Sequence, residues 1–197
     1  HLYTLLNRAP HEMDTEDEKG GQVELTWQGP RGWNLLANAS RLETGRGTLL
    51  FEEVYAHVER ERLGDFRVRG GFGYRDSEGL RQVALAELGW FQDETRSWTL
   101  AWEHQHVRLE PLPSLDPGAY DEDLLKLEYA VAPAWSVTGL LEMNNKYAEQ
   151  MTLDEKSGPF PAVELAWISA SGASLGLWAG KRQAGYVCSG GVCRFVP

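Results

Sequence analysis

The two cysteines of the chain, Cys188 and Cys193, are separated by four residues that include two adjacent glycines. Glycine permits the tight backbone of a small closed loop, and exported proteins keep paired cysteines as disulfides. Two thiols without a nearby histidine or a second cysteine pair make a poor zinc site. We therefore predict a Cys188–Cys193 disulfide, which shapes its loop more than it stabilises the fold because the loop is short.

Two histidines, His104 and His106, are two residues apart and share one face of a predicted strand. This spacing is compatible with metal chelation, but the sequence offers no identifiable third ligand. Both follow Trp102 toward the end of the strand, where histidine is an ordinary interfacial residue. We favour that second interpretation, keep the two histidines as weak metal candidates, and predict no cofactor.

Charged side chains recur at alternate positions of the predicted strands, so that they share one face. Pairs of such carboxylates are the acid and base of glycosidases, whereas in a barrel the same charges pair across strands or line a wet lumen. No nucleophile elbow is found, so an enzyme is the less favoured class. The residues that we expect to face a lumen are Glu24, Glu53, Arg67, Arg69, Glu103, Lys126, Glu128, Glu142 and Glu164.

The elements that position these residues are strands, because apolar and polar residues alternate with a period of two along most of the chain. Short turns between successive runs make neighbouring strands antiparallel. Eleven strands are predicted: Leu2–Arg8, Gln22–Gln28, Trp33–Leu42, Leu49–Glu61, Phe66–Arg75, Arg81–Phe91, Trp98–Arg108, Leu124–Val131, Trp135–Lys146, Ala162–Ile168 and Ser174–Arg182.

The connections between these strands fall into two alternating sets. Those at 29–32, 63–64, 92–97, 132–134 and 169–172 are short, whereas four of the other six, at 9–20, 43–48, 76–79, 109–123, 147–161 and 183–197, are long. In an up-and-down sheet this alternation places the long loops on one rim and the tight turns on the other, as in outer-membrane barrels. Six tryptophans lie near the tight-turn rim and suggest an aromatic girdle at a lipid interface: Trp27, Trp33, Trp90, Trp98, Trp135 and Trp167.

The fold class predicted from these patterns is an all-β antiparallel up-and-down meander that forms a transmembrane β-barrel. The alternative is a soluble β-sandwich with its apolar face inward, since strands of that class alternate equally well. In a barrel, apolar residues such as Leu125, Leu127 and Val137 should point away from the centre. In a sandwich they should point into a dry core.

Composition limits the function further. The chain of 197 residues has a net charge of −10, which disfavours nucleic acid because phosphate binding requires clustered Lys and Arg. No apolar run is long enough for a membrane-spanning helix, and the mean hydropathy is −0.42. The chain begins at His1 and stops after a loop at Pro197. We expect one barrel domain over residues 1–197, as part of a longer protein with an earlier region, a last strand and about twelve or more strands in all.

The segment from Gly180 to Pro197 resembles a stretch near the C-terminus of large outer-membrane β-barrel proteins, a family of unknown function in Bacteroidetes-like and related Gram-negative bacteria. The matching residues are Gly180, Lys181, Arg182, Gly185, Cys188, Gly190, Gly191, Cys193, Arg194 and Pro197. In that family a final amphipathic strand follows the cysteine-containing loop, and this sequence lacks it. The resemblance implies a fold and a compartment, and it supplies no catalytic residues.

The functional prediction is a barrel in the cell outer membrane that acts as a pore, a transport or export component, or a structural surface protein. Its predicted partners are outer-membrane lipid and other subunits of an envelope complex. A secreted or periplasmic β-sandwich that binds carbohydrate through exposed aromatic residues is the alternative. A barrel enzyme with a site among the long loops is the third hypothesis.

Overall fold

The computed structural model describes residues 18–77, 79–109, 119–145, 159–169, 171, 173–181, 185–189 and 192–196, with the backbone alone at residue 109 and in the last two ranges. Strands make up most of these residues. They are β1 (Glu18–Gln28), β2 (Trp33–Thr44), β3 (Leu49–Leu63), β4 (Phe66–Asp76), β5 (Gly79–Phe91), β6 (Arg96–Leu109), β7 (Ala119–Val131), β8 (Trp135–Asn144), β9 (Phe160–Ile168), β10 (Ser174–Gly180), β11 (Gly185–Ser189) and β12 (Val192–Val196).

The first ten strands form one sheet in chain order, and each strand is antiparallel to the next. The predicted all-β up-and-down meander is therefore confirmed. Within the described residues the sheet is open, with β1 and β10 at its edges. A 3-10 turn at Pro30–Gly32 is the helical element among these residues, and no described helix is long and apolar enough to cross a membrane.

Ten of the predicted strands coincide with β1–β10 to within a few residues, and the predicted strand Leu2–Arg8 lies outside the described residues. The largest boundary difference is in β7, which begins at Ala119 instead of Leu124. The prediction that 183–197 is only a connection is wrong, because β11 and β12 pair there as a separate two-stranded sheet. The segment contains two short runs of β-forming residues on either side of two adjacent glycines. This pattern is typical of a β-hairpin, although the glycines also suggest a loop.

Connections differ in length between the two ends of the main sheet. At one end they span 29–32, 64–65, 92–95, 132–134 and 169–173, so all are tight. At the other end they span 45–48, 77–78, 110–118 and 145–159, so two are short and two are long. Gly64 has φ = 67°, a left-handed conformation that favours glycine in the two-residue turn before β4. The end with the tight connections is called the tight-turn rim below.

Among the described residues, buried apolar side chains are few, and they lie on one face of the sheet. Val83 and Leu85 of β5 form a small cluster with the half-buried Tyr55, and the other buried apolar residues are Val107, Tyr120, Leu124 and Ala162. The same face holds most of the charged residues, because residues two apart along a strand share a face. The interior of this protein is therefore a mixture of apolar and ionisable groups.

Asp93 organises the turn between β5 and β6. Its Oδ1 atom accepts hydrogen bonds from the backbone N–H of Thr95 at 2.9 Å and of Arg96 at 2.8 Å, and from the Thr95 hydroxyl at 2.9 Å. The hydrogen bond from the Thr95 backbone is the main reason why the pKa of Asp93 lies below its ordinary value of 3.8. The ionised carboxylate therefore stabilises the turn.

Replacing Asp93 with alanine should lower the thermal unfolding midpoint at pH 7. Because the folded-state pKa is below the unfolded one, the contribution is present above the ordinary pKa and is lost as the pH falls through the lowered value. Midpoints measured from pH 7 down to pH 2 should thus converge for the wild type and D93A. D93N keeps an oxygen acceptor and is the matched control, which should lie between them at pH 7. A difference between wild type and D93A that does not change with pH would contradict this role.

Candidate functional site

The ten-stranded sheet has two faces of opposite character. We call the first the charged face, and it is defined by these ionisable residues at alternate strand positions: Glu24, Glu53, Glu59, Arg67, Arg69, Arg75, Arg81, Glu87, Glu103, Glu122, Lys126, Glu128, Glu142 and Glu164. The second is the apolar face, defined by the tryptophans, leucines and valines at the positions between them. Alternation along each strand, together with the pairing register, assigns every side chain to one of the two faces.

All nine residues predicted to face a lumen lie on the charged face. Glu53, Glu103 and Glu142 are buried, and Arg67, Arg69, Lys126, Glu128 and Glu164 are half-buried. Glu24 is exposed because it lies on the edge strand β1. That this face lines a lumen stays a prediction.

A network of ion pairs joins β3, β4 and β5 on the charged face. Arg69 donates to Glu59 through Nε at 2.6 Å and approaches Glu87 at 3.5 Å. Arg67 donates to Glu87 at 3.0 Å, so Glu87 bridges two arginines. These side chains are largely shielded from solvent, which makes their attraction stronger than that of surface pairs.

Arg75 and Glu53 form a deeply buried ion pair on the charged face. Each side chain is 5% exposed, and the Arg75 Nε atom donates to Glu53 Oε2 at 2.7 Å. The guanidinium also lies over the ring of Phe51, 5.4 Å from its centroid. The prediction named Glu53 but neither Arg75 nor Glu59. Both residues could have been predicted from the alternation of polar and apolar residues, since each shares a face with residues that the prediction did name.

Three buried carboxylates lie near a buried amide on β6, β7 and β8. Glu103 of β6 and Glu142 of β8 both pair with Leu124 of β7. Two residues further along β6, Gln105 pairs with Glu122 of β7. All four side chains are 5% exposed or less. Glu122 was missed because the sequence placed it in the connection before the eighth predicted strand, which actually begins earlier.

The apolar face is exposed. Leu125, Leu127 and Val137 have exposures of 38%, 47% and 37%, and Val23 reaches 72%. Large apolar residues at the equivalent positions of other strands are similarly exposed, including Phe72, Leu88, Leu100, Val163, Leu165, Leu175 and Leu177. The sheet therefore buries its charges and exposes its hydrophobic side chains, the reverse of the usual arrangement in water-soluble proteins.

Aromatic residues follow the tight-turn rim on the apolar face. Phe66, Trp90, Trp98 and Tyr129 are paired in sequence across β4 to β7, and Trp135 pairs with Trp167 across β8 and β9. The rings of Trp98 and Tyr129 are 4.6 Å apart and tilted by 37°, and those of Tyr129 and Trp135 are 5.6 Å apart at 69°. Of the six predicted girdle residues, Trp27 and Trp33 flank the first tight connection, and Trp33 lies 5.5 Å from the guanidinium of Arg60.

His104 and His106 lie on the apolar face beyond Trp102, each next to an aspartate of β7. His104 Nδ1 is 3.1 Å from Asp123 Oδ1, and His106 Nδ1 is 2.7 Å from Asp121 Oδ1. Asp123 also accepts a hydrogen bond from the Trp102 indole, and Asp121 accepts one from Asn145. The sequence did not identify these partners, because 15 to 19 residues separate them from the histidines.

His104 and His106 belong to no metal-binding group among the described residues. No group of three or more His, Cys, Asp or Glu side chains in the described part of the chain could hold a metal ion. The backbone register pairs Cys188 with Cys193 directly across the β11–β12 hairpin. Their side chains lie outside the described part, so the disulfide stays a prediction.

Comparison with known proteins gives a family match. Residues 75–197, more than half of the chain, match the model of a family of unknown function, DUF6029. No curated protein and no solved structure matches the chain. The matched segment begins near the end of β4 and takes in β5 to β12, including the three buried carboxylates around Gln105. The chain therefore belongs to the DUF6029 family, a family of unknown function.

Proposed function

We propose that this chain forms wall strands of a β-barrel in the outer membrane of a Gram-negative bacterium, where it acts as a pore or as a transport or export component. The observation that carries this proposal is the reversed polarity of the sheet. Its apolar face is exposed, and its charged face is buried. Lipid acyl chains are the environment in which an exposed apolar face is stable, and a barrel keeps its polar residues inside.

The polarity of the sheet weighs against the soluble sandwich. In a sandwich the apolar face of each sheet packs against the other, and charged residues face water. Here Glu142 is 1% exposed, whereas Leu127 is 47% exposed. Leaving so many large apolar side chains in water would cost roughly 25 cal/mol for each Å² of apolar surface.

The height of the apolar face suits a membrane. On β4 it runs from Phe66 through Val68 and Phe72 to Tyr74, after which Asp76 follows. These eight steps correspond to about 27 Å along the strand, at about 3.4 Å per residue. With a strand tilt of about 40° the vertical height is about 20 Å, comparable with the apolar band of about 25 Å in outer-membrane barrels.

The aromatic residues favour a lipid interface over a sugar-binding surface. A belt of amphipathic rings at one level of the sheet suits the headgroup region, where one end of each ring is apolar and the other is wet. Asymmetric connections, with tight turns at one end of the sheet and the longest loops at the other, support the same assignment.

Quenching of tryptophan fluorescence by brominated lipid tests the membrane placement. Seven of the eight tryptophans lie on the apolar face, and Trp178, aligned with Glu164, lies on the charged face. We expect strong quenching when the chain is folded into brominated vesicles, and quenching should be unchanged in W178F. The chain should also need detergent for extraction. A folded chain that is soluble in plain buffer and is not quenched by brominated lipid would reject the proposal.

A further inference from the structure

Arg60 is a cation that lies on the apolar face of the sheet. It pairs with Trp33 of β2 on one side and with Val68 of β4 on the other, and alternation along β3 places it on the same side as Val58. Val58, the next residue inward on this face, is 40% exposed. A charged side chain in apolar surroundings is stable where its head reaches water or an anion.

Arg60 has no carboxylate partner among the described residues. Its guanidinium takes part in none of their ion pairs, and its buried Nε atom has no hydrogen-bond acceptor there. The two glutamates next to it in the sequence are directed to the charged face, where Glu59 accepts from Arg69 and Glu61 accepts from Asn34 at 3.1 Å. The described part of the chain therefore does not neutralise Arg60.

Two other arginines on the apolar face differ from Arg60 in this respect. Arg41 is 2.7 Å from Glu43, and Arg96 is 3.1 Å from Asp93. Arg96 lies at the same tight-turn rim as Arg60, because it is the first residue of β6. It is therefore a cation of the same type, at the same end of the sheet, whose charge is already neutralised.

An aromatic ring holds the guanidinium of Arg60 in place. The guanidinium carbon is 5.5 Å from the centroid of the Trp33 ring, within the range of a cation–π contact. Trp33 is the first residue of β2, and Arg60 lies three residues before the end of β3 at Leu63. The pair thus lies at the boundary between the apolar face and the tight-turn rim, a level that suits lipid headgroups if the sheet spans a membrane.

We propose that Arg60, held by Trp33, binds the phosphate of an anionic phospholipid at the tight-turn rim. We call this pair the headgroup site, and it rests on the proposed function. A phosphate supplies the negative charge that the described residues do not, and the planar guanidinium can donate two parallel hydrogen bonds to its oxygens. Arg31 and Arg62, both exposed and within two residues of the pair, add positive charge around the headgroup site.

Quenching by a minor brominated lipid tests the headgroup site. The folded chain is placed in phosphatidylcholine vesicles that contain a small fraction of either brominated phosphatidylglycerol, which is anionic, or brominated phosphatidylcholine. A chain with a net charge of −10 repels anionic lipid in general, so an excess of tryptophan quenching by phosphatidylglycerol requires a local site. We expect that site to favour phosphatidylglycerol by about fivefold.

Matched variants locate the excess. R60Q should lose it, and R96Q should retain it although the same charge is removed from the same rim. R60K keeps the charge but lacks the planar fork, so its excess should lie between those of R60Q and the wild type. Heat-modifiable gel mobility reports whether each variant is folded. If R60Q does not fold, R60K decides, and an excess in R60K equal to that of the wild type would overturn the headgroup site.

Equal quenching of the wild type by the two brominated lipids would also overturn the headgroup site. So would an excess that survives in R60Q or that is lost equally in R96Q. Failure of the proposed function gives a different result. Strong but equal quenching by the two lipids rejects the headgroup site alone, whereas a folded chain that neither lipid quenches rejects the membrane placement and the headgroup site together.

Discussion

Replacing Arg75 with leucine is expected to lower the free energy of unfolding by about 3–5 kcal/mol, which would make it one of the most damaging single substitutions in this chain. Arg75 and Glu53 are each 5% exposed, so R75L leaves a carboxylate deeply buried opposite an apolar side chain. Desolvation of that unpaired charge accounts for most of the loss. The measurement is urea unfolding of the folded chain, followed by tryptophan fluorescence.

The double variant E53L/R75L distinguishes the cost of an unpaired charge from the loss of packing. Exchanging both partners of a buried ion pair for apolar residues is often close to neutral, so the double variant should recover much of the loss.

Arg41 provides the matched control, because its side chain is 58% exposed while it contacts Glu43 and Glu52. R41L should change the free energy of unfolding by about 1 kcal/mol or less. Equal losses in R75L and R41L would contradict the role of burial.

Replacing Leu127 with lysine should reduce the stability of the membrane-inserted fold by about 2–4 kcal/mol. Leu127 lies in the middle of the apolar face, between Leu125 and Tyr129 on β7, and pairs with Leu100 of β6. A lysine there would place a charge among acyl chains at the depth where that is most costly. Urea unfolding from lipid vesicles measures the loss, and heat-modifiable gel mobility reports the folded fraction.

The control for this substitution is a lysine on the opposite face. Thr99 is half-buried, precedes Leu100, and pairs with Glu128 across β6 and β7. T99K should therefore lower the stability of the membrane-inserted fold much less than L127K does, because the Glu128 carboxylate is adjacent and this face of the sheet is polar. If L127K is as stable as the wild type in vesicles, the apolar face does not contact lipid and the proposed function fails.

Much of the fold could be predicted from the sequence, because alternation is a local property of an extended backbone. In β6, for example, Trp98, Leu100 and Trp102 alternate with Thr99, Ala101 and Glu103, so both the strand and its faces can be predicted from adjacent residues. The short connections predicted the meander in the same way. Local patterns failed where the signal was mixed, as at 119–123, whose acidic residues resemble a loop although they belong to β7.

The candidate site was less predictable, because its contacts join residues that are distant in the chain. Glu53 and Arg75 are 22 residues apart, and His106 lies 15 residues from Asp121. Such pairs depend on register, and a shift of one residue would move each side chain to the other face. The buried amide of Gln105 illustrates the same limit, since its neighbour Glu122 is known only once β6 and β7 are aligned.

The sequence by itself determined that this protein is an antiparallel meander with one charged and one apolar face, since a period of two needs no information from distant residues. Only the tertiary structure decided which face is buried. Barrels and sandwiches share the same alternation, and burial depends on what each face packs against. In this protein Glu142 and Gln105 are buried, while Leu127 and Val137 stay exposed. That difference depends on contacts between residues that are far apart in the chain.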